Sequence, residues 1–139
     1  MRLRGHHLLC LLGFRGLGYS PEFVARMQEV RSALNSKRRF FIQVVTESDD
    51  ICRACPYHSN NACRKGSLSV RRTAEMDRRT LQYLGLQPGR RISADRLLKI
   101  IPQRLGDFDR LVKICGRCGW REVCNYYLEL RSRWRRSAL

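Results

Sequence analysis

No stretch of this 139-residue chain approaches the roughly 20 consecutive apolar residues that a membrane span requires. The apolar run Leu8–Phe14 is short, ends at Arg15 and lacks a small-residue cleavage site, so it does not read as a secretory signal. Also missing are a phosphate-binding loop, paired carboxylates and a serine–histidine–aspartate pattern, which leaves hydrolase and kinase readings without residues to carry them. No internal repeat extends beyond two cysteine clusters. The expectation is a single cytoplasmic domain over residues 1–139, with no membrane partner. The hydrophobic fraction of 43% argues against disorder.

Lysine is scarce: Lys37, Lys65, Lys99 and Lys113 are the only four among 28 basic side chains, against 12 acidic ones. The net charge of +16 is therefore carried by arginine. A field of that sign favours anionic partners, nucleic acid first, with binding that weakens as salt rises. Because the arginines are spread along the whole chain, a solvated arginine-rich surface accounts for them equally well.

Cysteine is plentiful by contrast, with seven residues. Six fall in two triplets, Cys52-Arg53-Ala54-Cys55-Pro56 followed by Cys63, and Cys115-Gly116-Arg117-Cys118-Gly119-Trp120 followed by Cys124. A C-x-x-C turn points two thiolates at one ion or cluster. In a reducing compartment such spacing reads as metal ligation rather than as disulfides, and the odd count fits that reading.

The rest of the chain reads mainly as helix. Arg4–Phe14 forms a short buried helix on which His6 and Cys10, four residues apart, share a face. Ser20 caps and Pro21 opens a second helix with Phe23, Met27, Val30 and Leu34 as its apolar stripe. Asn35–Arg39 makes a basic turn. Phe40–Thr46 is the one clear strand, laid on the helices or folded into a small hairpin. Ser48, Asp49 and Asp50 read as turn residues, and His58, three residues beyond Cys55, as an exposed loop residue with a fourth ligand as the alternative. A helix from Ser69 to about Leu84 carries Val70, Ala74, Asp77, Leu81 and Leu84 on one face and closes at Gly85. Asp77 then needs a partner, read as a partly exposed salt bridge. Ser93 caps a fourth helix that Pro102 should bend or end early. Phe108, Leu111, Val112 and Cys115 share a face of a fifth, and Val123, Tyr127, Leu130 and Trp134 that of a last one. The expected fold is thus a small, mainly α domain with one short strand or hairpin segment and cysteine knuckles forming a metal site.

The candidate metal ligands are Cys52, Cys55, Cys63, Cys115, Cys118 and Cys124, with Cys10, His6 and His7 as extra ligands or neighbours of the site. Six thiols exceed the needs of one zinc ion or one four-cysteine cluster. The two C-x-x-C pairs can share one centre, four cysteines can be drawn otherwise from both triplets, or each triplet can build its own site with Cys10 or a histidine as fourth ligand. Cys55-Pro56, the aromatic cover and the C-x2-C-x5-C spacing over Cys115, Cys118 and Cys124 favour an iron–sulfur cluster. That spacing also ends the cluster motif of some DNA-repair glycosylases, whose upstream cysteine is missing here. The knuckle-like pairs with adjacent glycine favour zinc.

Taken together, Leu3-Arg4-Gly5-His6-His7-Leu8-Leu9-Cys10, Gly16-Leu17-Gly18-Tyr19-Ser20 with Phe23, Asp50-Ile51-Cys52-x-x-Cys55-Pro56 and Cys115-x-x-Cys118-x-Trp120-x-x-x-Cys124 resemble a small cysteine-rich family of bacteria and archaea. It is a family of unknown function suspected of binding an iron–sulfur cluster. The resemblance covers most of the chain and implies such a cofactor, with the His6–Cys10 segment near it. The expectation is an iron–sulfur protein in electron transfer or redox sensing, with a redox partner protein. The alternative is a zinc-stapled nucleic-acid-binding module.

Overall fold

The computed structural model describes residues 1–36 and 39–137. The basic turn expected over residues 35–39 falls in part on residues 37 and 38, which lie outside the described residues.

The chain opens with a three-residue strand, β1 (Arg2–Arg4), running directly into α1 (Gly5–Gly13). Helix α2 (Pro21–Leu34) follows, with the Ser20 side chain accepting the Phe23 N–H at 3.1 Å and Met27, Val30 and Leu34 buried. Strand β2 (Phe41–Val45) is the expected one, but it is not alone. It pairs in parallel with β1 and antiparallel with β5 (Arg91–Ser93), in the order β1-β2-β5. Leu3 faces Val44 in register, Ile42 faces Ile92, and Leu3, Ile42 and Val44 have no measurable exposure. The flanking strands are three residues each, too short for an alternating pattern to be read from sequence.

Beyond β2, a 3-10 turn (Cys52–Ala54) and a two-residue hairpin, β3 (His58–Ser59) and β4 (Ala62–Cys63), carry the first cysteine triplet. Four helices complete the chain: α3 (Ser69–Leu84), α4 (Ala94–Leu105), α5 (Phe108–Cys115) and α6 (Asn125–Ser137). Gly85 closes α3 in the left-handed conformation at φ 70°, as its position predicts. Ser93 accepts the Arg96 N–H at the start of α4. That helix runs three residues past Pro102 rather than ending there. Pro102 sits exposed in the last turn, where one lost hydrogen bond does not outweigh the buried stripe of Leu97, Ile101 and Leu105.

Leu8, Leu11, Leu81, Leu97, Ile101, Leu105, Leu111 and Leu130 meet between the helices and under the sheet. Val70, Val112 and Trp134, expected on apolar faces, are exposed instead, at 51%, 38% and 46%. Val70 and Trp134 lie in end turns, and the buried stripe of α5 is Leu111 and Ile114, which turns Val112 outward. Among the described residues no helix is long and apolar enough to cross a membrane.

Helices α1 and α3 come together at a glycine. A Cβ on Gly5 would lie 2.5 Å from the Asp77 carbonyl oxygen and 2.8 Å from its Cα, so only glycine permits this approach. Gly5→Ala is expected to cost about 1–3 kcal/mol, read as a lower urea midpoint with unchanged slope.

Candidate metal centre

The loop after β2 turns on Asp49. Its carboxylate accepts the backbone N–H groups of Ile51 (3.0 Å) and Cys52 (2.9 Å) through Oδ1, and that of Arg4 (2.8 Å) through Oδ2. Oδ2 also lies 2.8 Å from His7 Nδ1. Asp49 is 2% exposed, so the expected turn residue is a buried organiser that ties β1 to the first C-x-x-C. Burial alone would raise its pKa, but His7 and the N–H bonds hold the carboxyl well below the usual range.

Asp77 does the same for the other side of α1. With no measurable exposure, it accepts from Arg4 Nε at 2.8 Å and from the His6 N–H at 3.0 Å, and lies 2.6 Å from His6 Nδ1. The partly exposed salt bridge expected for it is therefore a buried ion pair, because α3 faces β1 and α1 here rather than solvent. Burial, opposed by Asp77 and the Cys52 sulfur, leaves the Arg4 pKa raised. A carboxylate only accepts, so each histidine presents Nδ1–H to its aspartate and keeps Nε2 for something else. Burial and then His7 lower the His6 pKa against the pull of Asp77, so that ring is neutral at pH 7. A carboxylate that holds the far nitrogen of an imidazole is the usual support behind a metal-binding histidine.

All seven cysteines and His6, His7 and His58 line one cavity of about 430 Å³. None of the cysteines forms a disulfide. Cys10, on α1, is partly buried, and its pKa is pushed well up by burial and then by the thiols of Cys118, Cys115 and Cys124. Cys115, at the end of α5, is raised by burial and by the thiols of Cys118 and Cys124. The Trp120 N–H donates to Cys118 Sγ at 3.4 Å, and the N–H groups of Tyr126 and Tyr127, opening α6, face the Cys124 sulfur. A Cβ on Gly13 would collide with that sulfur, so α1 and α6 close on each other across it. Cys10 and the second triplet thus line the same cavity.

The first triplet lines another part of the cavity wall. Arg4 Nη1 lies 3.5 Å from Cys52 Sγ, and burial with the nearby Asp49 charge pushes the Cys52 pKa up to about 12. Cys55 is raised by burial and by the neighbouring Cys63. His58, expected to be exposed, is half-buried, because the hairpin folds it across from Cys63.

Tyr19 joins these parts. Its ring stacks edge-on against Phe23, Tyr57 and Trp120 at 5.1–5.2 Å, and its hydroxyl accepts from Lys65 Nζ at 3.0 Å. It covers the cavity between the two triplets. Sequence reasoning assigned it no role, although it stands in the Gly-Tyr-Ser motif beside a strong helix start.

Over residues 18–124 the chain matches the family described as "Protein of unknown function (DUF1284)". The chain belongs to the DUF1284 family. No curated protein and no solved structure matches it. The matched span takes in Tyr19, Asp49, Asp77 and six of the seven cysteines, while Arg4, His6, His7 and Cys10 of this DUF1284 chain precede it.

Thiolates at about 2.3 Å from a tetrahedral zinc ion stand roughly 3.8 Å apart. Among the described residues no three thiols come within 4.8 Å of one another; the one group of three donors that does is His7, Asp49 and Cys52. Asp49 in that group already accepts four hydrogen bonds, so it positions His7 and Cys52 rather than offering free lone pairs. The raised pKa values also disfavour thiol–disulfide chemistry, which needs an exposed thiol of low pKa.

Removing Asp77 strands a buried arginine. Asp77→Ala is expected to cost about 3–5 kcal/mol, whereas Glu75→Ala, which removes only an exposed partner of Arg79 on the same helix, should cost under about 1 kcal/mol. Urea denaturation of the two variants reads the difference.

Proposed function

We propose that this DUF1284 chain is a cytoplasmic iron–sulfur protein, with a cluster held by Cys10, Cys115, Cys118 and Cys124, serving electron transfer or redox sensing. The observation that carries it is that Cys10, Cys115, Cys118 and Cys124, from three separate segments, line one cavity. A cluster, when bound, supplies one-electron redox chemistry. Everything else in the reading concerns what the chain does around it. Helix α1 delivers Cys10, the end of α5 delivers Cys115, and Gly13 lets Cys124 reach the same place.

Burial raises the pKa of Cys10, Cys115 and Cys124, and iron opposes that by favouring thiolate. The Trp120 N–H and the start of α6 stabilise sulfur charge on the cavity side. Tyr19, Trp120 and Tyr57 keep water and oxygen from the interior. The arginine surface supports docking by an acidic redox partner protein.

Protein purified without oxygen is expected to be brown and to contain iron and acid-labile sulfide, with visible absorption that bleaches on reduction. A colourless protein carrying stoichiometric zinc and no iron overturns the proposal. Tyr19→Ala is expected to load iron normally and to bleach several-fold faster in air, because it opens the cover without touching a thiol.

The arginine excess favours a second reading, a zinc-stapled nucleic-acid-binding module. Arg71, Arg72 and Arg78 on α3 and Arg133, Arg135 and Arg136 on α6 are all exposed. It requires binding to duplex DNA or RNA that is tight at low salt and falls steeply as salt rises. Absence of binding at low salt removes it.

A further inference from the structure

We infer that the first cysteine triplet is a second metal centre in its own right, a Cys52, Cys55 and Cys63 set completed by Nε2 of His58. It rests on the iron–sulfur reading for the kind of metal, and not for the donor set. The first observation is an orphan. His58 Nε2 is, among the described residues, the one buried side-chain nitrogen or oxygen with no hydrogen-bond partner. Burying such a nitrogen unbonded costs about 1–3 kcal/mol, and native proteins seldom leave one in that state. His58 lines the same cavity as Cys52, Cys55 and Cys63.

The second observation is the effort of the backbone to put it there. Asn60 and Asn61 both have positive φ, 50° and 58°. Two such residues in succession make the tight turn of a two-residue hairpin loop, which asparagine tolerates better than most side chains. The register of that hairpin sets His58 directly opposite Cys63. Cys55 is bound into the same turn: its N–H donates to the Cys52 carbonyl at 2.9 Å and its carbonyl accepts from the His58 N–H at 3.1 Å. The backbone N–H groups of Tyr57 and His58 also face its sulfur. Strands of two residues have no stability of their own, and Tyr57, Ser59, Asn60 and Asn61 are exposed. A metal held by Cys52, Cys55, His58 and Cys63 supplies what the hairpin lacks.

This set is separate from the first. Its donors ride on the 3-10 turn and the β3–β4 hairpin, whereas Cys10 rides on α1, Cys115 ends α5 and Cys124 directly precedes α6. Replacing one thiolate by a neutral imidazole removes a negative charge from the ligand set, so this centre should be the easier of the two to reduce. Two centres on one cavity give an electron an entry and an exit.

The test is anaerobic reconstitution with iron and sulfide of the full chain labelled with nitrogen-15 histidine, read by iron analysis and by pulsed electron paramagnetic resonance of the reduced protein. It is run beside Cys52→Ser/Cys55→Ser, Cys115→Ser/Cys118→Ser and His58→Ala. Each double variant is expected to keep roughly half of the wild-type iron, as two independent clusters require. A strongly coupled histidine nitrogen should appear in wild type and in Cys115→Ser/Cys118→Ser, and vanish in His58→Ala. His58 lies outside the core, and the labelled wild type answers without any variant.

An iron-free Cys115→Ser/Cys118→Ser beside a Cys52→Ser/Cys55→Ser with full wild-type iron overturns the second centre and leaves the first standing. Absence of a bound histidine nitrogen in every sample also overturns it. Loss of all iron in both double variants means one shared cluster and overturns it as well. A wild type that binds no iron overturns the cluster reading itself.

Discussion

The buried carboxylate of Asp77 is the interaction on which the rest depends. It holds the Arg4 guanidinium, the His6 backbone N–H and the His6 ring at once, in a place with no solvent to replace any of them. Around it α1 and α3 approach closely enough that Gly5 can carry no side chain. Arg4, fixed by Asp77, reaches on to the Cys52 sulfur. Asp49 repeats the arrangement with His7 and the backbone of Cys52. The polar interior is thus one connected scaffold, with a histidine at each end and Cys52 reached from both.

Such a scaffold is costly. A buried ion pair returns little net stability over an apolar replacement, and thiols whose pKa is pushed upward by burial gain nothing from being close together. Burial of Leu8, Leu11, Leu81, Leu97, Ile101 and Leu105 is what offsets that cost. The arrangement becomes reasonable once a cation turns the clustered thiols into thiolates and the supported imidazoles into ligands or near neighbours of the metal. Core packing and the candidate metal site share elements: α1 carries both the buried Leu8, Leu9 and Leu11 and Cys10, and α5 carries both Leu111 and Cys115.

Local signals made the helices legible. The caps at Ser20 and Ser93, the left-handed Gly85 and the apolar periods placed α2, α3, α4 and α5 where they are found. The cysteine spacing pointed to the cavity, and the pairing of His6 with Cys10 put α1 beside it. What stayed hidden depends on partners far away in the chain. Asp77 and Arg4 are 73 positions apart and Asp49 and Arg4 are 45, so an aspartate before a C-x-x-C read as a turn residue and a carboxylate on a helix read as half-exposed. Strands β1 and β5 are too short to leave a period. His58 read as an exposed loop residue because its inward fold depends on the positive φ of Asn60 and Asn61, which residue spacing does not reveal.

If the cavity and the core are one construction, the metal should hold the fold together. The direct measurement is thermal unfolding of the metal-loaded protein against the same protein stripped by a chelator under reducing, oxygen-free conditions, followed by far-ultraviolet circular dichroism. The stripped protein should lose helical signal already at room temperature and unfold over a broad range well below the loaded form. Equal helical content and equal midpoints in the two forms would contradict it and make the metal site peripheral to the fold.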